Sequence, residues 1–133
     1  MNHFKVLTIF LVIILFTSCE KKIVQVEGYL KGKISIGPIC PVETSALDSA
    51  CMATAETYKT YPVSVFTNDG LNKITQISPE LNGSFMIYLY PGNYILKLEA
   101  IAPHAGGSNL PMKVIINSQD TTSINIDIDT GIR

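Results

Sequence analysis

Apolar side chains recur at every second position along most of the chain after residue 28. The clearest case is residues 84–100, where this alternation runs on both sides of Pro91-Gly92-Asn93. The tripeptide combines the fixed φ of proline with the permissive backbone of glycine, as a tight reversal requires. The stretch therefore predicts a β-hairpin with one buried face. The predicted buried set is Phe85, Ile87, Leu89, Tyr94, Leu96 and Leu98.

The same alternation marks residues 29–36, residues 61–66, the run around Val114 and the run around Ile126. Residues 73–78 form a poorer strand, because Ile74 and Ile77 are out of step, and this predicts a bulge or an edge position. Residues 103–110 predict a flexible loop, and residues 47–55 show a weak helical pattern. Seven short strands separated by turns, without a long helix, are typical of an all-β antiparallel sandwich.

The amino terminus has the pattern of an export signal. Lys5 is followed by an apolar run over residues 6–16, which is shorter than the roughly 20 residues of a transmembrane helix. The run ends in Leu15-Phe16-Thr17-Ser18-Cys19, which resembles the bacterial lipobox, although Phe16 stands where that signal prefers leucine. In such signals the chain is cleaved before the cysteine, and the cysteine is lipidated.

This resemblance predicts three regions: a lipoprotein signal peptide over residues 1–18, a lipidated tether over residues 19–27 and a β-sandwich domain over residues 28–133. Acyl chains on Cys19 would gain about 0.8 kcal/mol per buried methylene group. We therefore expect an exported protein that is lipid-anchored to a bacterial membrane, with the outer membrane as the expected one. The alternative is an ordinary cleaved signal that leaves Cys19 as a free thiol.

Cys40 and Cys51 remain as an even pair if Cys19 carries the lipid, and such a pair in an exported protein usually forms a disulfide. Closing a loop of about ten residues would stabilise the fold by roughly 2–3 kcal/mol. Metal binding is the alternative. It requires further ligands, and His104 is the only histidine after residue 18.

Composition and charge remove several classes of function. The formal net charge is −1, and no basic stripe with interleaved aromatic residues is present, so we expect no nucleic-acid binding. His104 could act as a general base, but no serine or cysteine has the context of a nucleophile. Asn125, Asp127 and Asp129 share one face of the last strand and form either a calcium-binding row or a plain polar face. We expect no enzyme activity, no cofactor and no metal site.

The tyrosines offer a different kind of candidate, a platform for carbohydrate, and they are Tyr29, Tyr58, Tyr61, Tyr88, Tyr90 and Tyr94. Tyr88 and Tyr90 lie with Met86 on the outward face of the predicted hairpin. An exposed aromatic strip of this kind could bind carbohydrate, because the flat rings present apolar faces and polar edges at once. Coverage of the same face by a second layer of the fold is the alternative.

Several motifs together carry a resemblance to a group of known domains. They are Gly37-Pro38-x-Cys40-Pro41-Val42, the later Cys51, Gly83-x-Phe85 with Pro91-Gly92-x-Tyr94, and the terminal Asp129-x-Gly131-Ile132-Arg133. The set resembles small exported bacterial proteins that are similar to carboxypeptidase regulatory-like, or transthyretin-like, sandwich domains. The resemblance implies a seven-stranded antiparallel Greek-key sandwich of the transthyretin (prealbumin) type. It implies an accessory role and no activity of its own.

The recurring position of the carboxyl terminus in this resemblance implies that it packs on the Gly-Pro box. We expect Gly37, Pro38, Pro41, Asp129 and Arg133 to form one structural or binding cluster. In this cluster, the charged contact is expected between Arg133 and either Asp129 or Glu43. The predicted function is a membrane-anchored, non-catalytic accessory module for binding or scaffolding, with an envelope protein or a glycan as partner. The alternatives are a carbohydrate- or peptide-binding surface module and a metal-dependent hydrolase accessory.

Overall fold

The structure of the protein is a computed structural model that describes residues 25–41, 51–99 and 107–132. Within these ranges, eight strands form two four-stranded sheets beside one short helix. The elements are β1 (Gly28–Gly37), α1 (Ala55–Thr60), β2 (Val63–Thr67), β3 (Lys73–Gln76), β4 (Ser84–Leu89), β5 (Gly92–Leu98), β6 (Gly107–Ser108), β7 (Met112–Ile116) and β8 (Thr121–Asp129). Sheet 1 has the order β4-β1-β8-β6, and sheet 2 has the order β3-β2-β5-β7.

An apolar core lies between the two sheets, and the inward residues follow the alternation of the sequence. Leu30, Leu96 and Ile126 are completely buried, and burial of each such side chain contributes roughly 1.5–3 kcal/mol. The predicted strand faces are thereby confirmed. The buried apolar residues are Leu30, Ile34, Val63, Val65, Ile77, Phe85, Leu89, Leu96, Val114, Ile116, Ile126 and Ile128.

The pairing predicted for residues 84–100 is wrong. β4 pairs with β1 in sheet 1, whereas β5 pairs with β2 and β7 in sheet 2, so Pro91 lies where the chain crosses from one sheet to the other. Alternation specifies which face of a strand is buried, and a hairpin and a crossover between sheets give the same alternation. Both strands therefore keep the predicted inward residues while their partners differ.

The predicted seven-stranded antiparallel sandwich needs two corrections. The described residues contain eight strands, because Gly107–Ser108 pairs with β8 at the end of the predicted loop. In addition, β1 and β8 are parallel over nine positions, from the Tyr29 and Thr121 pair to the Gly37 and Asp129 pair. Parallel pairing requires a long connection, and most of the domain separates β1 from β8. The side-chain pattern of a strand does not encode its direction.

The third predicted strand is confirmed as an irregular edge. β3 lies at the edge of sheet 2, and its pairing with β2 shifts register between Val65 and Phe66. Ile74 is 49% exposed and Ile77 is 2% exposed, as their mismatch in the sequence predicted. The weak helical pattern over residues 47–55 lies partly outside the described residues, and the helix that the structure describes begins at Ala55. Thr54 caps α1, since its side chain accepts a hydrogen bond from the backbone N–H of Thr57 at 3.3 Å.

The predicted disulfide between Cys40 and Cys51 is confirmed, with 5.4 Å between the Cα atoms. Among the described residues, no helix combines the length and apolar character that crossing a membrane requires. The predicted signal peptide, Cys19, His104 and Arg133 lie outside the described residues.

Candidate functional site

Exposed aromatic side chains lie along the outer face of sheet 1, which is the face turned away from the core. We call Tyr29, Met86, Tyr88 and Tyr90 the aromatic strip; their exposed fractions are 37%, 58%, 59% and 55%. Met86 and Tyr88 alternate with the buried Phe85 and Leu89 on β4, and Tyr90 continues the alternation directly after the strand. Within the described residues, no second layer covers this face. Of the two alternatives that the sequence left open, an exposed strip therefore applies to these residues.

Pairing of β4 with β1 brings Tyr29 into the strip. Tyr29 and Tyr88 are directly opposite each other, with 5.0 Å between ring centroids and 57° between ring planes. A cross-strand aromatic pair of this kind contributes to sheet stability and also leaves large apolar surface in contact with solvent. From the sequence, Tyr29 was one of the tyrosines of a possible carbohydrate platform, but it was not placed beside Tyr88 because β4 was paired there with β5. The alternation of residues 29–36 already places Tyr29 on the outward face of its strand, because its neighbour Leu30 points inward. This signal could have identified the face of Tyr29.

Two lysines on the central strand β1 lie beside the aromatic strip. Lys31 and Lys33 are exposed, and within the described residues neither forms an ion pair. An open groove of about 520 Å³ lies over this part of the sheet. Its lining includes Lys31, Met86, Ser123 and Asn125. The outer face of sheet 1 thus joins aromatic rings, ammonium groups, a hydroxyl and an amide on one rigid surface.

The outer face of sheet 2 differs, because two of its lysines, Lys73 and Lys97, have polar partners, and Lys113 lies alone on β7. The Nζ atom of Lys73 lies 2.6 Å from Oε2 of Glu99, and Ser64 donates its hydroxyl hydrogen to the same carboxylate. These hydrogen bonds, first that of Lys73 and then that of Ser64, hold the pKa of Glu99 below its ordinary value. Lys97 donates to the carbonyl oxygen of Gly70 at 2.7 Å. Its ammonium group also lies 4.7 Å from the centroid of the Phe66 ring.

The predicted cluster at the carboxyl terminus is partly assembled in the structure. Gly37 lies opposite Asp129 at the ends of β1 and β8. The backbone N–H of Thr130 donates to the carbonyl oxygen of Gly37 at 3.1 Å, and its hydroxyl donates to that of Pro38. Asp129 accepts a hydrogen bond from the N–H of Gly131 at 2.8 Å. Hydrogen bonds of Thr130 therefore join the end of β8 to Gly37 and Pro38, and the full cluster with Pro41 and Arg133 stays a prediction.

Thr130 is the residue of this cluster that sequence reasoning missed. It is 4% exposed and forms hydrogen bonds in two directions, whereas only charged side chains were expected to form the contact. The sequence Asp129-Thr130-Gly131 contains the signal, because Asp and Thr often bond the backbone two residues ahead. Pro41 is exposed. The expected pairing of Arg133 lies outside the described residues and stays a prediction.

Asn125, Asp127 and Asp129 share the outward face of β8, as the alternation predicted. The side chain of Asn109 closes the adjacent edge, since it donates to the carbonyl oxygen of Asn125 at 3.0 Å and accepts from the N–H of Asp127 at 3.1 Å. Across the described ranges, no three His, Cys, Asp or Glu side chains converge as a metal site would require. Asn109 thus bonds the backbone of β8 and not the outward side chains, and this row lies on the same outer face as the aromatic strip.

No family model and no curated protein matches the sequence. The resemblance to carboxypeptidase regulatory-like domains accordingly stays a prediction. Solved structures do match. The minor pilin GBS52 of Streptococcus agalactiae is 15% identical with a TM-score of 0.52, and the match covers 80% of this chain and 46% of the pilin chain.

Two further solved structures are similar in the same way. The TIE protein of Bacillus anthracis is 11% identical with a TM-score of 0.50, over 79% of this chain and 17% of that chain. A DUF3823 family protein from Parabacteroides merdae is 15% identical with a TM-score of 0.48, over 79% of this chain and 47% of that chain. The chain thus spans less than half the length of each of these three proteins. With the pilin and the TIE protein it shares a β-sandwich fold.

Proposed function

We propose that the protein is an exported lipoprotein whose β-sandwich is a non-catalytic binding module of the bacterial envelope. The aromatic strip is the observation that carries the proposal. It places four large side chains in contact with solvent on one face of a rigid sheet. Monomeric soluble proteins rarely expose large contiguous apolar patches, and the patches that they do expose often mark binding sites. That a minor pilin shares the fold supports an accessory role at the cell surface.

The start of the fold supports the anchoring part of the proposal. Ser118 donates its hydroxyl hydrogen to the carbonyl oxygen of Val26 at 3.0 Å, and the N–H of Gln119 donates to that of Glu27 at 3.1 Å. The turn between β7 and β8 therefore holds the chain from Val26 onward. Cys19 precedes Val26 by seven residues, which span at most about 25 Å when fully extended. A lipid on Cys19 would keep the sandwich close to the bilayer.

Mass spectrometry of the amino-terminal peptide tests the anchor. The protein is isolated from the membranes of the producing bacterium, beside a Cys19→Ala variant. We expect a chain that begins at Cys19 and carries the mass of acyl chains, while the variant retains residues 1–18. An unmodified Cys19 in the wild-type protein would contradict the anchor.

Photo-crosslinking in intact cells tests the binding surface. A benzophenone amino acid replaces Tyr88 on the outer face of sheet 1 or, as the matched control, Ile115 on the outer face of sheet 2. Ile115 is 61% exposed and Tyr88 is 59% exposed, so simple accessibility is the same at both positions. We expect discrete adducts from position 88 alone. Equal adduct patterns from both positions would remove the support for a specific surface.

A further inference from the structure

We propose that the outer face of sheet 1 binds an acidic glycan, a polysaccharide whose sugar rings carry carboxylate groups. Tyr29 and Tyr88 stack on the sugar rings, and Lys31 and Lys33 bind the carboxylates. The inference rests on the proposed function, because it takes this face to be the binding surface. It adds the chemical class of the ligand.

Strand register orders the relevant side chains into three rows. In each row a residue of β1 lies between one residue of β4 and one of β8, and neighbouring rows are about 7 Å apart along the strands. The first and third rows are thus about 13 Å apart, a distance that a short stretch of polysaccharide can follow. From the β1 end near the tether, the rows are Tyr88-Tyr29-Thr121, Met86-Lys31-Ser123 and Ser84-Lys33-Asn125.

The first row offers the rings. The planes of Tyr29 and Tyr88 are tilted at 57°, so the two rings do not cover each other face to face. Both remain in contact with solvent. An apolar ring face accepts the C–H face of a sugar, and the phenolic hydroxyl offers a hydrogen bond at its edge.

The second and third rows offer the positive charge. The neighbours of Lys31 and Lys33 on both sides are uncharged, and within the described residues neither ammonium group has an ion-pair partner. On the outer face of sheet 2, by contrast, Lys73 is paired with Glu99 and Lys97 is bound to Gly70, so that Lys113 is a single lysine opposite Ile95 rather than one of a pair. A pair of cations between uncharged neighbours complements a ligand with spaced carboxylates.

The remaining groups fit a sugar better than a flat lipid surface. The groove of about 520 Å³ over these rows is lined by the hydroxyls of Ser84 and Ser123 and the amide of Asn125, which can bond sugar hydroxyls. Glu80 also lines the groove, where it accepts a hydrogen bond from Ser84 at 3.2 Å, and Asp127 follows in the next row. Glu80 thus bounds the positive region beside Ser84, and Asp127 bounds it beyond the third row, which leaves a region that suits a short stretch of one sugar chain.

Isothermal titration calorimetry with the purified full chain in detergent tests the inference. The ligands titrated are three polysaccharides whose sugar rings carry carboxylates, namely the uronate polymers polygalacturonate, alginate and hyaluronate. Methyl-esterified polygalacturonate keeps the sugar rings and removes the charge, and poly-L-glutamate keeps the charge and has no rings. We expect at least one uronate polymer to bind about tenfold more tightly than both of these reference polymers.

Variants assign the binding to the rows. We expect Lys31→Gln with Lys33→Gln, and separately Tyr29→Ala with Tyr88→Ala, to weaken the uronate affinity by about tenfold each. The matched control, Lys113→Gln with Ile115→Ala on sheet 2, should leave the affinity unchanged. Circular dichroism melts of all variants identify any that fail to fold. If the double tyrosine variant fails to fold, Tyr88→Phe is measured in its place, and it is expected to retain binding because it keeps the aromatic ring.

Several results would overturn the inference. Equal binding of the methyl ester would assign a neutral glycan, equal binding of poly-L-glutamate would assign an acidic peptide, and strip-dependent binding of the Cys19→Ala variant to phosphatidylglycerol vesicles would assign the membrane surface. If no uronate polymer binds while crosslinking at Tyr88 persists in cells, the acidic-glycan inference fails and the proposed binding surface stands. If both experiments fail, the proposed function fails as well.

Discussion

Replacing Gly32 with alanine should destabilise the sandwich strongly, because no space exists for a methyl group at the centre of sheet 1. Gly32 lies between β4 and β8, directly opposite Phe85 and Ile124. A Cβ atom built on it would lie 2.0 Å from the carbonyl oxygen of Ile124 and 3.1 Å from the Phe85 ring. Ordinary contact begins at 3.4 Å, so the two strands would have to separate by more than 1 Å.

The size of the effect follows from what such a separation costs. Overpacking of a core typically costs about 1–3 kcal/mol, and stretching the flanking ladder hydrogen bonds adds roughly 1 kcal/mol for each bond that weakens. We therefore expect Gly32→Ala to lower the free energy of unfolding by about 3–5 kcal/mol. A domain of this size loses about 4–8 °C in Tm for each kcal/mol, so Tm should fall by at least about 10 °C.

Urea denaturation followed by circular dichroism measures the difference. Gly37→Ala is the matched control on the same strand, because among the described residues no atom lies within 4 Å of the position that its added Cβ would occupy. The free energy of unfolding of Gly37→Ala should remain within about 0.5 kcal/mol of the wild-type value. If Gly32→Ala were as stable as Gly37→Ala, the close parallel pairing of β1 with β8 would be refuted.

Three further predictions concern the terminus, the disulfide and the outer charges. Thr130→Val should lower the free energy of unfolding by about 1–3 kcal/mol because it leaves a backbone carbonyl without its buried donor, whereas Thr130→Ser should be nearly neutral; equal loss in both would refute a role for the hydroxyl. Replacing both Cys40 and Cys51 by serine should lower the free energy of unfolding by about 3 kcal/mol, as measured by urea denaturation. An unchanged denaturation midpoint would contradict this prediction. Glu99 has a lowered folded pKa, so its stabilisation is present above the unfolded value of about 4.3 and is lost as the pH falls through the folded value. Glu99→Gln should therefore lose less stability than the wild-type protein between about pH 6 and pH 3, and a larger loss would show that the sign is wrong.

The sequence was informative about faces and much less about partners. Alternation placed Leu30, Phe85, Leu96 and Ile126 in the core, because burial of one face of a strand is a local property. The partner of β4 depends on which distant segment covers its edge, and the turn at Pro91 is compatible with both outcomes. The same limitation hid the parallel direction of β1 and β8.

The candidate site follows the same division. Met86, Tyr88 and Tyr90 were identified from their positions on one strand, whereas Tyr29 joined them only through the pairing of β1 with β4. At the carboxyl terminus, the packing on the Gly-Pro box was expected, but the contact depends on the hydroxyl of Thr130. Short polar side chains act through geometry that composition does not reveal.

Hydroxyl-radical footprinting of the protein in isolated envelopes tests the central claim most directly, because it requires no knowledge of the ligand. Oxidation rates of Met86 and Tyr88 are compared with those of Ile74 and Ile115 on the outer side of sheet 2, all four being between 49% and 61% exposed. The reference is the same protein after purification in detergent. We predict that Met86 and Tyr88 are several-fold protected in the envelope while Ile74 and Ile115 keep their rates. Unchanged rates at Met86 and Tyr88 would contradict the claim that the protein binds in the envelope through the aromatic strip.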